Sequence, residues 1–392
     1  MDIFVLDENL RRISIIDIYK SFLWTERLNE WGDFELVSAY SRSLRAQLPV
    51  GTMLAIPYSM RVMTVETHEV KKDDEGNDTI TFSGRSLEAL LDNRVAFSSL
   101  GTLEEDQKWT LTGPPADLLR ELFRVICAEG KLSEDDKIPF YVAGTITPPG
   151  DIPEPTEEIT LELDPDSLYE ITKKQAQIYN LGFRLIRNED LGQLYYEIYT
   201  GNDHTTSQTT NPAVIFSKSL DSLSSLTELQ SDADEKNVAY VFGKYGTAVV
   251  YGNGYDASMA KGFLRKVLLV NADDIDLEPG AELTAALIER GVQELAQHRS
   301  VMGFDGETPQ VISYVYGRDY DLGDLVEVQD SEGNANQVRV TEQIFASDAE
   351  GDRSYPTFTQ NQFVRSGSWL AYDGPPEWAD VPNTSSFEWK DM

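Results

Sequence analysis

Residues 319–358 read DYDLGDLVEVQDSEGNANQVRVTEQIFASDAEGDRSYPTF, and this pattern predicts a three-stranded antiparallel meander. Apolar and polar side chains alternate along the strands, so one face of the sheet is expected to be dry and the other wet. Gly333 lies in the hairpin loop, where a residue that tolerates positive φ is needed. The predicted parts are, in order, a turn (Leu322-Gly323-Asp324), a strand (325–328), a hairpin loop (330–336), a return strand (338–340) and, after Thr341-Glu342 and an acidic glycine turn, a third strand (355–358).

A second copy of this pattern lies near the N-terminus. A strand at 50–56 is entered through Gly51, a return strand covers 62–66, and the turn at 74–77 leads into a strand at 79–82. The distance from return strand to turn glycine is similar in the two copies. A chance recurrence of common turns is the alternative to a true repeat. If the repeat is real, the chain carries two similar small β-barrel modules with other material between them.

Length and composition indicate a soluble globular protein with two to four domains. The chain has 392 residues, of which 41% are hydrophobic and 26% charged. It contains no run of 18 or more apolar residues, so we expect no membrane span and no stable membrane insertion. The N-terminus lacks the basic segment of a signal peptide. Cys127 is the single cysteine, which excludes an internal disulfide and predicts a small buried side chain.

The chain is strongly acidic. Its formal net charge is -34, from 67 acidic against 33 basic residues, and the acids are scattered along the sequence. Without a basic stripe there is no footprint for phosphates, so specific DNA binding is not expected. The acidity suits solubility, an acidic host proteome, or a surface past which DNA moves without binding.

Periodicity predicts a mainly β chain of α+β class with four segments. The first, 1–97, contains strands at 3–6, 12–16, 21–27 and 34–37, the first meander, and a short helix at 84–94. The second, 98–225, is an α+β middle domain with helices at 115–129 and 164–182, a linker at 145–158, a hairpin at 183–186 and 194–199, and a polar loop at 202–211.

The third segment, 226–365, is β-rich and contains the second meander, and its domain could also include part of the second segment, 98–225. Strands are expected at 214–216 before it, and at 237–243, 247–251 and 263–270 within it. A helix at 279–298 presents its apolar stripe to a core. The stripe consists of Leu283, Leu287, Ile288, Val292 and Leu295. The fourth segment, 366–392, is an extended tail whose Trp369, Trp378 and Trp389 would anchor it to a neighbouring protein, or else it is disordered.

No catalytic, cofactor-binding or metal-binding residue is predicted, and no cofactor. His68, His204 and His298 do not share a helical face, and neither a zinc-protease motif nor a nucleophile elbow occurs. The glycines of 252–257 do not open a helix after a strand, so a turn is expected there. The acidic run 73–78 lacks the twelve-residue calcium pattern and predicts a solvated hairpin tip.

Four motifs carry a resemblance to a known family. They are WTER at 24–27 with WGDFEL at 31–36, GRSLEALL at 84–91, KNVAYV at 236–241, and the start of the second meander at 319–328. In these motifs the chain resembles the baseplate-hub family of siphophage tails, the tail-associated or Tal-type minor tail proteins, which are distantly like contractile-tail hubs. Where that family often has an Arg-Arg-Glu run before a strand, this chain has Leu264-Arg265-Lys266.

The resemblance implies a phage tail hub fold and a structural, non-enzymatic virion protein. A homotrimer would sit at the tail tip, with the distal tail protein and tail tube above, other tip proteins below and possible contact with the tape measure. Three subunits with two modules each would match a six-fold tube to a three-fold tip and line the channel through which DNA passes. The resemblance places the protein in the virion, after assembly in the host cytoplasm.

Two other classes stay open at this stage. A carbohydrate-active enzyme would need two carboxylates about 5–10 Å apart beside aromatic platforms. A receptor-binding adhesin would carry exposed aromatic side chains on loops at the far end of the tip.

Overall fold

The computed structural model describes residues 1–72, 78–99, 108–307 and 314–360. This part of the chain is mainly β, as the sequence predicts. The turn expected at 74–77, most of the acidic run 73–78 and the tail 366–392 lie outside the described residues. The described residues of 1–233 and 300–360 form one compact unit, and those of 234–299 form another.

The chain begins with a strand module in which apolar and polar positions alternate. Along the strand 79–86 every second side chain is buried, which is the pattern of a sheet with one covered face. We call residues 1–86 the first strand module. Its elements are β1 (Ile3–Leu6), β2 (Arg12–Ile16), β3 (Ser21–Arg27), β4 (Asp33–Ala39), α1 (Arg42–Gln47), β5 (Met53–Ala55), β6 (Met63–Lys71) and β7 (Thr79–Ser86).

A middle domain, residues 87–213, follows, and its apolar core also includes buried side chains of the first strand module, such as Phe4 and Leu6. Pro115 occupies the first turn of α2, whose apolar side is buried, and Gly130 ends the helical segment with positive φ, as the sequence predicts. Cys127 is buried in this core, which confirms its predicted role. The elements are β8 (Val95–Ala96), β9 (Trp109–Gly113), α2 (Pro115–Phe123), β10 (Ile159–Leu163), β11 (Asp166–Ser167), α3 (Leu168–Tyr179), β12 (Gly182–Asn188) and β13 (Gln193–Tyr199), with 3₁₀ turns at Leu87–Asn93 and Glu134–Asp136 and a π-helical turn at Arg124–Ala128.

The second strand module is interrupted by the small unit 234–299. We give this name to residues 214–231 and 301–360. The elements from here to the end are β14 (Ile215–Phe216), β15 (Ser225–Ser231), β16 (Val238–Gly243), β17 (Gly246–Tyr251), a 3₁₀ turn (Gly262–Leu264), β18 (Val267–Ala272), α4 (Ala281–Ala296), β19 (Val301–Glu307), β20 (Leu325–Gln329), β21 (Ala335–Asp348) and β22 (Gly351–Gln360). In the small unit α4 packs on the sheet β17-β16-β18.

One 13-stranded sheet contains both strand modules. Its main path runs β15-β19-β22-β21-β3-β4-β7-β6-β5-β1-β2, with β20 beside β21 and β14 beside β20. The strand order β15-β19-β22-β21-β20-β14 in the second module therefore repeats the order β3-β4-β7-β6-β5-β1 in the first. The outermost pair differs, because β1 is antiparallel to β5 whereas β14 is parallel to β20.

The two meanders agree down to single backbone hydrogen bonds, which confirms the predicted repeat. Gly51 and Gly323 both have φ of 93°. The Gly51 N–H donates to the Val65 carbonyl at 2.8 Å, and the Gly323 N–H donates to the Val340 carbonyl at 2.8 Å. Each return strand then has a β-bulge directly after that valine. A bulge bends its strand, so both long strands change direction at the same point.

Several predicted boundaries were wrong. The return strand of the second meander does not end at Val340 but continues through Thr341 and Glu342 to Asp348. The alternation of apolar and polar residues is interrupted after Val340 because a β-bulge inserts one extra residue there, and strand pairing resumes after it. The residues 84–86 complete β7 instead of starting a helix, and the following helix is a 3₁₀ helix.

The start of α3 also differs from the prediction. Ser167, not Asp164, accepts the capping hydrogen bond, and Asn180 in the left-handed region ends the helix before Gly182. Residues 263–266 are not in a strand, and β18 begins at Val267. The strands β9, β10, β15 and β19 were not predicted. The segment limits at 97, 225 and 365 stay a prediction.

The apolar stripe of α4 was partly wrong. Leu283, Leu287 and Leu295 are buried as predicted, but Ile288 and Val292 are 44% and 49% exposed. The buried positions recur every four residues and include Gly291, which lets the helix approach the sheet closely. The buried side of the helix is therefore narrower than the sequence suggested, because Ile288 and Val292 lie outside its contact with the sheet.

Two neighbouring residues of α4 test which side of the helix packs against the sheet. We expect Leu287→Ala to destabilise the small unit by about 2–5 kcal/mol, because it opens a cavity under the helix. Ile288→Ala is expected to stay within about 0.5 kcal/mol of wild type, because that side chain is half in water. Hydrogen exchange of the α4 amides in increasing denaturant measures both variants. Equal losses of protection would contradict the observed helix orientation.

Candidate functional site: the joint between the strand modules

The two strand modules are joined by direct pairing of β21 with β3. The register places Glu342 opposite Arg27, Phe345 opposite Trp24 and Ser347 opposite Phe22 (antiparallel). On the same edge β21 pairs with β20 before the bulge, and on its opposite edge it pairs with β22 along most of its length. One strand thus carries hydrogen bonds of both modules.

Side chains of β21 also enter two different cores. Val338 and Val340, before the bulge, belong to the core of the second strand module. Phe345, after the bulge, belongs to the core of the first, where it lies opposite the fully buried Trp24. Burying an aromatic side chain of this size stabilises by roughly 1.5–3 kcal/mol. The joint is therefore held by apolar burial as well as by the hydrogen-bond ladder.

An ion pair crosses the joint on the opposite, wet face. Arg27 Nε lies 2.8 Å from Glu342 Oε1, and Arg27 Nη1 lies 2.9 Å from Asp33 Oδ1. Burial raises the pKa of Glu342, although Arg27 opposes that shift. Because these side chains are partly exposed, we expect the pair to align the strands more than to stabilise them.

Behind the joint lies a buried ionic cluster around Arg61. Arg61 Nη1 is 3.3 Å from Glu88 Oε1, Arg61 Nε is 3.7 Å from Glu26 Oε2, and all three side chains are at most 3% exposed. The Leu185 N–H donates a further bond to Glu88 at 2.9 Å. Burial lowers the pKa of Arg61, but Glu88 and Glu26 together raise it above its usual range. Burial raises the pKa of Glu26, with Arg61 opposing.

A second buried cation connects the middle domain to the second strand module. Arg184 Nε lies 3.0 Å from Glu197, and its Nη1 lies 3.2 Å from Asp321 in the turn before β20. The guanidinium stacks 4.3 Å from the centre of the Tyr199 ring. Burial alone lowers the pKa of Arg184, but Asp321 and Glu197 raise it. Arg339 of β21 adds two hydrogen bonds to backbone carbonyls of the middle domain.

The wet face of the first strand module carries its bases in ion pairs. On β3, β4, β6 and β7 the basic side chains are Arg27, Lys71 and Arg85. Arg85 lies 2.9 Å from Glu66 and Lys71 lies 3.3 Å from a carboxylate on the same strand, while Arg27 is paired as described above. Carboxylates on this face outnumber bases, and serine and threonine fill much of the rest. The face is therefore polar and negatively charged.

An open cleft of about 570 Å³ lies beside the buried cluster, and its charged lining makes it a candidate for an enzyme site. It is lined by Glu26, Asp321, Tyr58 and several arginines. Both carboxylate oxygens of Glu26 are already engaged, because Oε1 accepts from Trp24 Nε1 at 2.9 Å and Oε2 accepts from the Tyr316 hydroxyl at 3.0 Å. This geometry suits a structural carboxylate rather than an acid that transfers protons.

The three histidines lie in separate surroundings. His68 is on β6 with its ring edge against Phe82. His204 is in the polar loop, with Nε2 3.5 Å from Asp324, and His298 follows the end of α4. In the ranges that the structure describes, no group of three or more His, Cys, Asp or Glu side chains could hold a metal ion.

Sequence patterns missed the buried ionic cluster, although one signal for it was present. In β3 the inward positions are Phe22, Trp24 and Glu26, so a carboxylate stands where alternation expects a third apolar side chain. Such a position indicates a charged partner in the core. The partner, Arg61, is distant in sequence and could not be identified from spacing.

Removing the central cation tests the cluster. We expect Arg61→Met to destabilise the protein by about 3–5 kcal/mol, because Glu88 and Glu26 are left buried without their counter-charge. The exposed Lys71→Met is the control and should stay within about 0.5 kcal/mol. Adding Glu26→Gln and Glu88→Gln to Arg61→Met should recover part of the loss. Urea unfolding measures all of these variants, and a small loss for Arg61→Met would contradict the arrangement.

Asp324, in the repeated glycine turn, predicts a pH dependence. Burial raises its pKa to about 6, although the Asn202 N–H bond opposes this shift. The folded state therefore holds a proton that the unfolded chain releases above its ordinary pKa of about 3.9. Stability contributed by this group is present at low pH and falls as the pH rises through about 6.

We expect Asp324→Asn to flatten the fall in the free energy of unfolding between about pH 4 and pH 6.5, by at most about 1.4 kcal/mol per pH unit. Urea unfolding at a series of pH values measures the slope. The exposed Asp117→Asn serves as the control and should keep the wild-type slope. An unchanged slope in Asp324→Asn would show that this carboxyl titrates normally.

The family model described as Siphovirus ReqiPepy6 Gp37-like protein matches residues 2–358. No curated protein matches the sequence. In the described residues, no helix has both the length and the apolar character needed to cross a membrane.

The fold is similar to those of two solved tail proteins. The 43 kDa tail protein of prophage MuSo2 from Shewanella oneidensis is 15% identical, with a TM-score of 0.53 over 92% of this chain and 99% of that chain. The tail protein from Neisseria meningitidis MC58 is 13% identical, with a TM-score of 0.54 over 94% of this chain and 98% of that chain. Since the family model covers nearly the whole described chain, the protein belongs to the Siphovirus ReqiPepy6 Gp37-like family.

Proposed function

We propose that this protein is the trimeric baseplate hub at the tip of a phage tail. The observation that carries the proposal is the repeated strand module, because one chain presents two similar modules side by side in one sheet. Three chains then present six near-equivalent modules, which matches a six-fold tail tube on one side and a three-fold tip on the other. The distal tail protein and the tube would contact one side, and other tip proteins, with the tape measure, the other.

The wet face supports a role in lining the DNA channel. Its carboxylates outnumber its bases, and Arg27, Lys71 and Arg85 are neutralised by carboxylates of their own sheet. A bore with this lining repels phosphates and offers no cations for counterion release, so DNA can slide without being held.

We also infer that the protein has no enzymatic activity of its own. The buried carboxylates near the cleft are bound by protein donors, and the histidines are spread over separate sites. An assay for release of reducing sugars from host cell-wall glycans would overturn this inference if purified protein gave turnover. No catalytic, metal-binding or cofactor-binding residue is assigned.

The oligomeric state tests the proposed hub. We expect light scattering on the purified chain to give three times 44.0 kDa, because trimerisation completes the ring of modules. Electron microscopy of the same sample should show a ring with pseudo-six-fold symmetry and a central bore. A monomer at high concentration, or a ring whose bore is lined by Lys and Arg, would contradict the proposal.

A further inference from the structure

Among the strand edges of the main sheet that have no partner in the described residues, those of β15 and of the outer half of β6 form a related pair. β15 pairs on one side with β19 and is the last strand of the sheet path at that end. β6 pairs with β5 only at Met63 and Thr64, so beyond the bulge it pairs with β7 alone. Open edges invite pairing with another chain, and natural proteins usually protect them.

The internal repeat identifies what these edges correspond to within the chain. The two modules can be aligned on the valine before each bulge. Val65 lies opposite Gly84 in the first module, and Val340 lies opposite Phe358 in the second; from these equivalent pairs the alignment continues strand by strand. It equates β7 with β22, β4 with β19, and β3 with β15. It also equates β6 with β21. The two open edges are thus the equivalents of the two edges that meet at the joint.

The register observed between β21 and β3 at the joint can be mapped, residue by residue, onto β6 and β15. Because Phe34 and Phe304 occupy equivalent positions, Trp24 opposite Phe34 corresponds to Glu228 opposite Phe304. Likewise Phe345 of β21 corresponds to Val70 of β6. The observed pair of Phe345 with Trp24 therefore predicts a pair of Val70 with Glu228.

We propose that the outer half of β6 pairs antiparallel with β15 of a second copy of this chain. This inference rests on the proposed trimer and adds its interface and register. The expected opposite pairs are Thr67 with Ser231, His68 with Gln230, Glu69 with Leu229, Val70 with Glu228, and Lys71 with Thr227. Repeating the contact around a ring pairs the β6 edge and the β15 edge of every copy, since each copy supplies one of each.

The chemistry of the two edges agrees with this pairing. In the joint the central residues of β3 are buried, with Thr25 at 4% exposure, whereas Leu229 at the equivalent position is 57% exposed. A partner strand would cover that leucine. None of the five expected pairs sets like charges opposite each other, and Glu228 has Lys72 of the partner strand as a diagonal neighbour. The contact is heterologous, so it builds a ring instead of a two-fold dimer.

Disulfide trapping in the full chain tests the register. In Glu69→Cys with Leu229→Cys the thiols are expected opposite each other on neighbouring copies, within the span of a disulfide. In the control, Glu69→Cys with Ser225→Cys, they are on the same face but about 13 Å apart along the strand. Residues 69, 225 and 229 are exposed, so all variants should fold. Burial raises the pKa of the native Cys127 to about 12, so that thiol should stay unreactive.

We expect covalent dimers and trimers on non-reducing gels for the matched pair and monomers for the control. A trimeric mass with no cross-link, or with equal cross-linking of both pairs, would overturn this interface while leaving the proposed hub intact. A monomeric mass for the wild type at high concentration would overturn both.

A charge exchange gives a second readout of the same contact. Leu229→Glu places a second carboxylate opposite Glu69 and should weaken trimerisation by about fivefold per interface, whereas Leu229→Lys should not. Glu69→Lys combined with Leu229→Glu should restore the wild-type association measured by sedimentation. Failure of this rescue, with both single variants folded, would contradict the predicted register.

Discussion

The structure depends on one long strand that is shared by two modules. β21 supplies ladder hydrogen bonds to β20, β22 and β3, and its side chains enter the core of the second module before the bulge and that of the first after it. Its 14 residues are long enough to contribute side chains to both cores. The bulge is what allows this, because it bends the strand where one core ends and the other begins.

The polar interactions behind the joint follow from this arrangement. Where the two modules and the middle domain pack together, polar groups of the chain are buried, and they need hydrogen-bond or ionic partners within the protein because water cannot reach them. Arg61, Arg184 and Arg339 provide them, each reaching between segments that are distant in sequence. Buried ions of this kind contribute little net stability, but removing one partner is costly. They therefore constrain how the segments pack rather than drive the packing.

The same geometry explains how copies of a single chain can assemble into a ring. Within the chain the modules meet by edge-to-edge pairing, which is directional and leaves the equivalent edges of β15 and of the outer half of β6 without a strand partner among the described residues. The wet face carries charged side chains up to the joint, where Arg27 pairs with Glu342, and its arginines are neutralised by carboxylates of the same sheet. An assembly that extends this sheet would extend that polar, acidic surface as well. This is the physical basis on which a structural role in a phage tail is proposed.

Local sequence patterns were enough to predict the local features. Alternation and glycine turns predicted both meanders and their repeat, Pro115 and Gly130 delimited a helical segment, and the apolar surroundings of Cys127 predicted its burial. These depend on contacts close in the chain. The pairing of β21 with β3, the partner of Glu26 and the orientation of α4 could not be predicted in this way, because each depends on groups that are far apart in sequence and meet only in the folded chain. The strand β15 escaped prediction for the same reason: its side chains are mostly exposed, so burial leaves no periodic pattern, and backbone pairing with β19 alone defines it.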